Sequence, residues 1–207
     1  MNIKLIIITL LLTQTFYAQV KIQEDHLTIG YQKAKKASQF IGAETNVRTK
    51  SKKIVQYNIK VRIEMMNNKK QFFDPNKFSL IDNKEKVRLR PLDATYTNFT
   101  DKWHFNKLIK AKPKFKSLED MYKPDVKDTF LDYKFDNITN VTLPIKFDAY
   151  NDFKLSFKKS KFEIHECYFE PKKLRKRNIN LYFPVLKATK KATLYYGKTK
   201  IKDIKFK

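Results

Sequence analysis

The chain has 207 residues, enough for one well-buried domain or a domain carrying an insertion. Its formal charge of +24 rests on 39 lysines and only six arginines, and lysine is a hydrated point charge where arginine is a planar fork that reads phosphate and base edges. Three separated glycines, Gly30, Gly42 and Gly197, exclude a dinucleotide fingerprint and a phosphate-cradling loop, both of which need clustered glycines.

The lysines occur in every segment, so the charge reads first as a solvated surface, informative about solubility and non-specific contacts. Aromatic residues make up 14% of the chain, which supplies a core and argues against global disorder. At the N-terminus, MNIK is followed by the apolar run LIIITLLL and then by TQTFYAQ. These are the three regions of a secretory signal peptide, and the run is far shorter than the roughly 20 residues that span a bilayer. Residues 1–18 are therefore predicted to be a signal peptide cleaved after Ala18, and the ending YAQ resembles bacterial export signals. The mature chain is expected to be periplasmic or secreted and to have no transmembrane span. No cysteine lies directly after the apolar run, so a lipid-modified N-terminus is not expected. The single cysteine, Cys167, precludes an internal disulfide, and the fold must rest on packing.

Residues 19–52 read as an N-terminal extension of mixed character. Ala34 to Phe40 has a helical flavour, and a strand before Gly30 is equally compatible. From Ile54 the pattern sharpens: Val55, Tyr57, Ile59, Val61 and Ile63 alternate with Gln56, Asn58, Lys60, Arg62 and Glu64. That period of two predicts a strand with one face on a core and one in water. MNNKKQFFDPNK follows as a turn-rich stretch, then FSLID as a short strand, NKEK as a turn, and VRLRP as a strand stopped by Pro91. Residues 93–128 alternate less cleanly and read as a loop or short-helix insertion, with one helical turn from Ser117. Period two returns at FLDYKFDN, where Leu131, Tyr133 and Phe135 would share a face. It continues through LPIKFDAY, Phe153 to Phe157, and Phe162 with Ile164. Ile179, Leu181, Phe183 and Val185 form one stripe, and ATLYYGKTKIKDIKF supplies a last hairpin around Gly197. About eight short strands with regular turn signals and no long amphipathic helix predict an all-β antiparallel sandwich over residues 53–207.

DPNKFSLID after the first long strand, VRLRPLD, and the closing LYFPVLKATKKATLYYGKTKI together resemble small exported bacterial immunoglobulin-like β-sandwich domains of unknown function. The resemblance covers Lys53 to Pro91 and Ile179 to Ile204 as separate pieces. It implies an immunoglobulin-like fold, and it brings no catalytic residues with it.

Reactive constellations are sparse. His165 and Cys167 would point the same way on a strand, but two ligands do not make a metal site, and His26 and His104 lack paired spacing. No G-x-S-x-G elbow is present, and the acids Glu119, Asp120, Asp125 and Asp128 read as a solvated loop. No cofactor, metal or catalytic residue is expected. The acceptor patterns at Asn98, Asn137 and Asn140 read as chance in a bacterial export context. Two stretches could bind. Tyr96, Phe99, Trp103, His104 and Phe105 interleave with lysines as a candidate ligand surface, where rings could stack on sugars or bases; the blander reading is an insertion pinned by its aromatics. Lys172, Lys173, Arg175, Lys176 and Arg177 form a candidate polyanion contact, read first as a solvated connection with no aromatic platform beside it. The sequence thus leads to the expectation of a non-enzymatic exported binding module. Its partner would be an anionic envelope polymer or another envelope protein; an envelope hydrolase, a metal-assisted enzyme and a nucleic-acid binder are the alternatives.

Overall fold

The computed structural model describes residues 19–38, 47–49, 52–98, 101–112, 129–138, 147–149 and 163–207. The signal-peptide segment, the helical turn expected from Ser117, and the strand expected over 153–157 lie outside the described residues. In chain order the strands are β1 (Gln19–Ile22), β2 (Leu27–Lys36), β3 (Val47–Thr49), β4 (Ile54–Met65) and β5 (Gln71–Phe73). After a single helical turn at Pro75–Lys77 come β6 (Phe78–Asp82), β7 (Val87–Leu89), β8 (Asp93–Asn98), β9 (Asp101–His104) and β10 (Asn106–Lys112). The remainder are β11 (Phe147–Ala149), β12 (Glu163–Phe169), β13 (Lys172–Leu174), β14 (Lys176–Leu186), β15 (Lys191–Tyr196) and β16 (Thr199–Lys205). Among the described residues the fold is all-β, every strand pairing is antiparallel, and the sheets are open.

A six-stranded sheet in the order β1-β2-β4-β14-β8-β9 holds the two longest strands at its centre, and a four-stranded sheet runs β16-β15-β6-β7. One hydrophobic cluster lies between them. From β4 it takes Tyr57, Ile59, Val61, Ile63 and Met65, and from β14 it takes Ile179, Leu181, Phe183 and Val185. Phe78 and Leu80 of β6, Leu194 and Tyr196 of β15, and Ile204 of β16 face them. Two facing sheets over one core are consistent with a β-sandwich. The alternation in β4 and β14 is the physical reason: successive side chains leave opposite faces of a strand, so every second residue is apolar and inward. Each such Ile, Leu or Phe withdrawn from water stabilises the fold by about 1.5–3 kcal/mol. The two sheets also meet at one end, where the Tyr57 and Phe206 rings lie 4.5 Å apart and the Tyr57 hydroxyl donates to the Lys207 carbonyl at 2.6 Å.

β4 and β14 pair over eleven consecutive positions, from Glu64 opposite Lys176 to Ile54 opposite Leu186. Across more than a hundred residues of chain, this is the central long-range contact of the fold. A two-stranded ribbon of β5 and β13 and a four-stranded sheet β10-β12-β11-β3 complete the architecture. The turn before β6 is built as the motif Asp74-Pro75-Asn76 suggests: Asp74 Oδ1 accepts from the Asn76 amide at 2.9 Å, and proline takes the first helical position.

Three expectations change. Among the described residues there are twice as many strands as anticipated, because several runs are split and because residues 93–98 and 101–112 of the expected insertion form β8, β9 and β10. Helical flavour at Ala34 gives way to strand, since β2 continues through Lys36 alongside β4. FLDYKFDN is not a strand. Phe130 is fully buried while Leu131 is exposed, and the segment is a series of turns. Its carbonyls are claimed by a side chain instead of a neighbouring strand: the Arg88 guanidinium donates to the carbonyls of Phe130 (2.7 Å) and Tyr133. The guanidinium carbons of Arg88 and Arg90 lie 3.8 and 4.4 Å from the centre of the Phe130 ring. Two cations stacked on one ring hold the segment without a ladder.

Candidate functional site

The basic run near the C-terminus is strand, not a connection. Lys172, Lys173 and Leu174 are β13, Arg175 is a bend whose carbonyl accepts from the Met65 amide at 2.8 Å, and Lys176 opens β14. It also has aromatic neighbours. Lys173 Nζ lies 5.1 Å from the Phe72 ring centre, and Lys172 Nζ lies 5.6 Å from that of Phe105. Lys172 is half-buried, and that burial pulls its ammonium below the ordinary lysine range, only partly offset by Glu170. The run therefore divides: Lys172 packs inward, whereas Lys173, Arg175, Lys176 and Arg177 are exposed.

Pairing of β14 with β4 decides what the exposed end can do. On the face of the six-stranded sheet opposite the core, Lys176 stands against Glu64, Asn178 against Arg62, and Asn180 against Lys60. Asn180 also pairs with Thr95 of β8, which puts Thr97 two residues further along the same face. The result is a pocket of about 360 Å³ in which Lys60, Arg62, Lys176 and Arg177 meet Thr97, Asn178 and Asn180. A register irregularity in β2 between Tyr31 and Lys33 leaves Gln32 unpaired. Gln32 Nε2 reaches past β4 to donate to Asn178 Oδ1 at 2.9 Å, the kind of re-aiming that β-bulges produce.

Among the described residues the carboxylate beside these cations is Glu64. Glu64 accepts from Lys176 Nζ at 2.8 Å and lies 3.8 Å from Arg62 Nε, with all three side chains 35–43% exposed. Ion pairs this exposed are worth at most about 1 kcal/mol and are readily exchanged. Chemically the described lining offers ammonium, guanidinium, amide and hydroxyl groups. It can bind and orient an anion, and it holds no carboxylate, imidazole or thiol to act as nucleophile or base.

The aromatic stretch is distributed differently. Phe105 is fully buried among Phe73 (5.9 Å) and Tyr96 (5.3 Å), so its ring belongs to the core. Tyr96 is half-buried and packs against the same cluster. The backbone of Trp103 pairs with Tyr96 and that of His104 with Thr95, on the edge strand β9. Phe99 lies outside the described residues. His165 and Cys167 fall on β12, and Cys167 pairs with Leu108. Among the described residues no group of three His, Cys, Asp or Glu side chains could hold a metal ion, and no helix is long and apolar enough to cross a membrane.

By alternation alone, Lys60 and Arg62 are not distinguishable in the sequence from the wet half of any alternating strand, yet they line this pocket. The signal was available in outline: two cations at i and i+2 on one strand, and a basic run leading into a second. What was missing was the knowledge that these two strands are neighbours.

Comparison with protein-family models, with curated proteins and with solved structures returned no match.

Proposed function

We propose that this chain is an exported, immunoglobulin-like binding module of the bacterial envelope, periplasmic or secreted, with no enzymatic step of its own. Its ligand is an anionic envelope polymer held on the outer face of the six-stranded sheet. The observation that carries the reading is the gathering of Lys60, Arg62, Lys176 and Arg177 from two distant segments around one pocket. A diffuse lysine surface keeps a protein soluble; cations converging on a concavity lined with amide and hydroxyl donors favour a bound anion over bulk counter-ions. The leader-like residues 1–18 support an envelope location, and the facing antiparallel sheets support the immunoglobulin-like assignment alongside the DPNKFSLID and LYFPVL motifs.

Co-sedimentation with purified lipopolysaccharide tests the reading. Binding should fall as salt rises through 0.1 M, where charges beyond about 10 Å are screened. It should also fall at least tenfold in the variant K60Q/R62Q/K176Q/R177Q. Salt-independent binding, or full binding by that variant, would sink the proposal.

A further inference from the structure

Resting on that reading, we infer that the pocket between β4, β14 and β8 recognises a phosphorylated sugar unit, with Glu64 as a built-in counter-anion that the ligand's phosphate displaces. The first ground is charge. Four cationic residues line the pocket, and among the described residues Glu64 is the carboxylate paired with two of them, so positive groups outnumber negative ones in the described lining. A phosphomonoester carries about −1.5 to −2 near neutral pH, so it matches that excess better than a single carboxylate does. Arg62 supplies the fork geometry suited to phosphate oxygens, Lys60 and Lys176 supply point charges, and Arg177, whose Nη1 donates to the Lys176 carbonyl at 2.9 Å, adds a further positive charge.

The second ground is the other half of the lining. Thr97, Asn178 and Asn180 add a hydroxyl and two amides that can both donate and accept, which suits sugar hydroxyls and is surplus to holding a bare anion. Asn178 is held by Gln32 (2.9 Å), so part of this hydrogen-bonding set is oriented before any ligand arrives. The volume of about 360 Å³ lies at the low end for small-ligand sites, room for a sugar ring and its phosphate. The described lining holds no aromatic ring, which disfavours stacked bases as the ligand.

The third ground is the exposure of Glu64. Its ion pairs with Lys176 and Arg62 hold the two cations together, yet they are solvent-screened and weak enough to yield to a dianion.

Isothermal titration of the full mature chain with glucose 6-phosphate, inorganic phosphate, glucuronate and glucose tests this, beside lipopolysaccharide co-sedimentation. Glucose 6-phosphate should bind about fivefold tighter than glucuronate, given its extra charge. It should also bind tighter than inorganic phosphate, and glucose should not bind. N178A/N180A should bring glucose 6-phosphate down to the level of inorganic phosphate. Glu64→Gln should tighten phosphate binding about threefold, because the competing carboxylate is gone. Equal binding of glucose 6-phosphate and inorganic phosphate, or no gain in Glu64→Gln, would overturn the inference. Salt-sensitive lipopolysaccharide binding with no response to any sugar phosphate would overturn it while leaving the polymer-binding reading in place; loss of both would remove both.

Discussion

Lys77 Nζ donates to both carboxylate oxygens of Asp25, at 2.6 and 2.8 Å, with each side chain only about one-fifth exposed. Asp25 sits in the hairpin between β1 and β2, and Lys77 in the helical turn that opens β6, so this pair clasps one sheet to the other. Its ammonium lies 5.9 Å from the centre of the Tyr196 ring, and the Lys77 carbonyl accepts from the Gly197 amide at 2.8 Å. The clasp therefore reaches three elements at once.

Removing the carboxylate should cost more than a surface pair would. In Asp25→Asn the partly buried ammonium loses its counter-charge, and a loss of about 1–3 kcal/mol is expected in urea unfolding. An unchanged urea midpoint would show that the clasp is only a surface contact.

The same site makes the protein labile to alkali. Burial opposes the charge on Lys77, but the hydrogen bond and charge of Asp25 outweigh it and raise the ammonium above its ordinary range. Burial, reinforced by the Asp25 carboxylate, pushes the Tyr196 phenol well above its own. Both groups hold their protons more tightly folded than unfolded. The stability they contribute is thus complete below about pH 10 and is lost as pH climbs through the folded values. Urea midpoints measured between about pH 8 and 11 should stay level and then drop, with a smaller drop in Asp25→Asn. A decline that begins near neutrality would contradict this assignment.

Asn76 carries a second junction. Its Nδ2 donates to the Phe169 carbonyl at 2.7 Å and to Asp74 Oδ1 at 2.7 Å, while its Oδ1 accepts from the Phe169 amide at 2.8 Å. The residue is buried, so Asn76→Ala strands both backbone groups of Phe169 and should cost about 2–4 kcal/mol. Asn76→Asp keeps the volume but aims an acceptor at two acceptors, and should cost at least as much at neutral pH. If Asn76→Asp is as stable as the native chain in chemical denaturation, the junction is not what holds β12 to this turn.

Gly197 is needed for two reasons that a pair of variants separates. Its φ of +56° lies in the left-handed region, and a Cβ there would sit 3.0 Å from Tyr133 Cε1 and 3.2 Å from Cζ. Gly197→Ala should destabilise by about 1–2 kcal/mol and speed amide exchange in residues 129–135, whose Tyr133 must shift. Gly197→Asn tolerates the backbone conformation better but brings the same Cβ, so it should recover stability only in part. Unchanged exchange in that segment for both variants would show that Tyr133 moves aside at no cost.

Legibility in the sequence followed the range of the physics. The turn at Asp74-Pro75-Asn76 and the hairpin at Gly197 depend on a few consecutive residues, and both are where their residue types place them. FLDYKFDN misled because alternation records only that apolar residues recur at intervals of two. It does not record that Arg88, some 40 residues earlier, donates to Phe130 and takes over backbone groups that a ladder would have used.

By itself the sequence determined which faces of the long strands are apolar: Tyr57 to Ile63 and Ile179 to Val185 point into the core as their alternation requires. That is so because the pleat turns side chains over at every residue, a property of the chain alone. Only the tertiary structure decided that β4 and β14 lie side by side in a register that brings Lys60 and Arg62 against Asn180 and Asn178. Strand neighbours are chosen by the burial that the whole chain achieves together, and no local pattern carries that choice. A pocket assembled across strands therefore becomes visible only once they are paired.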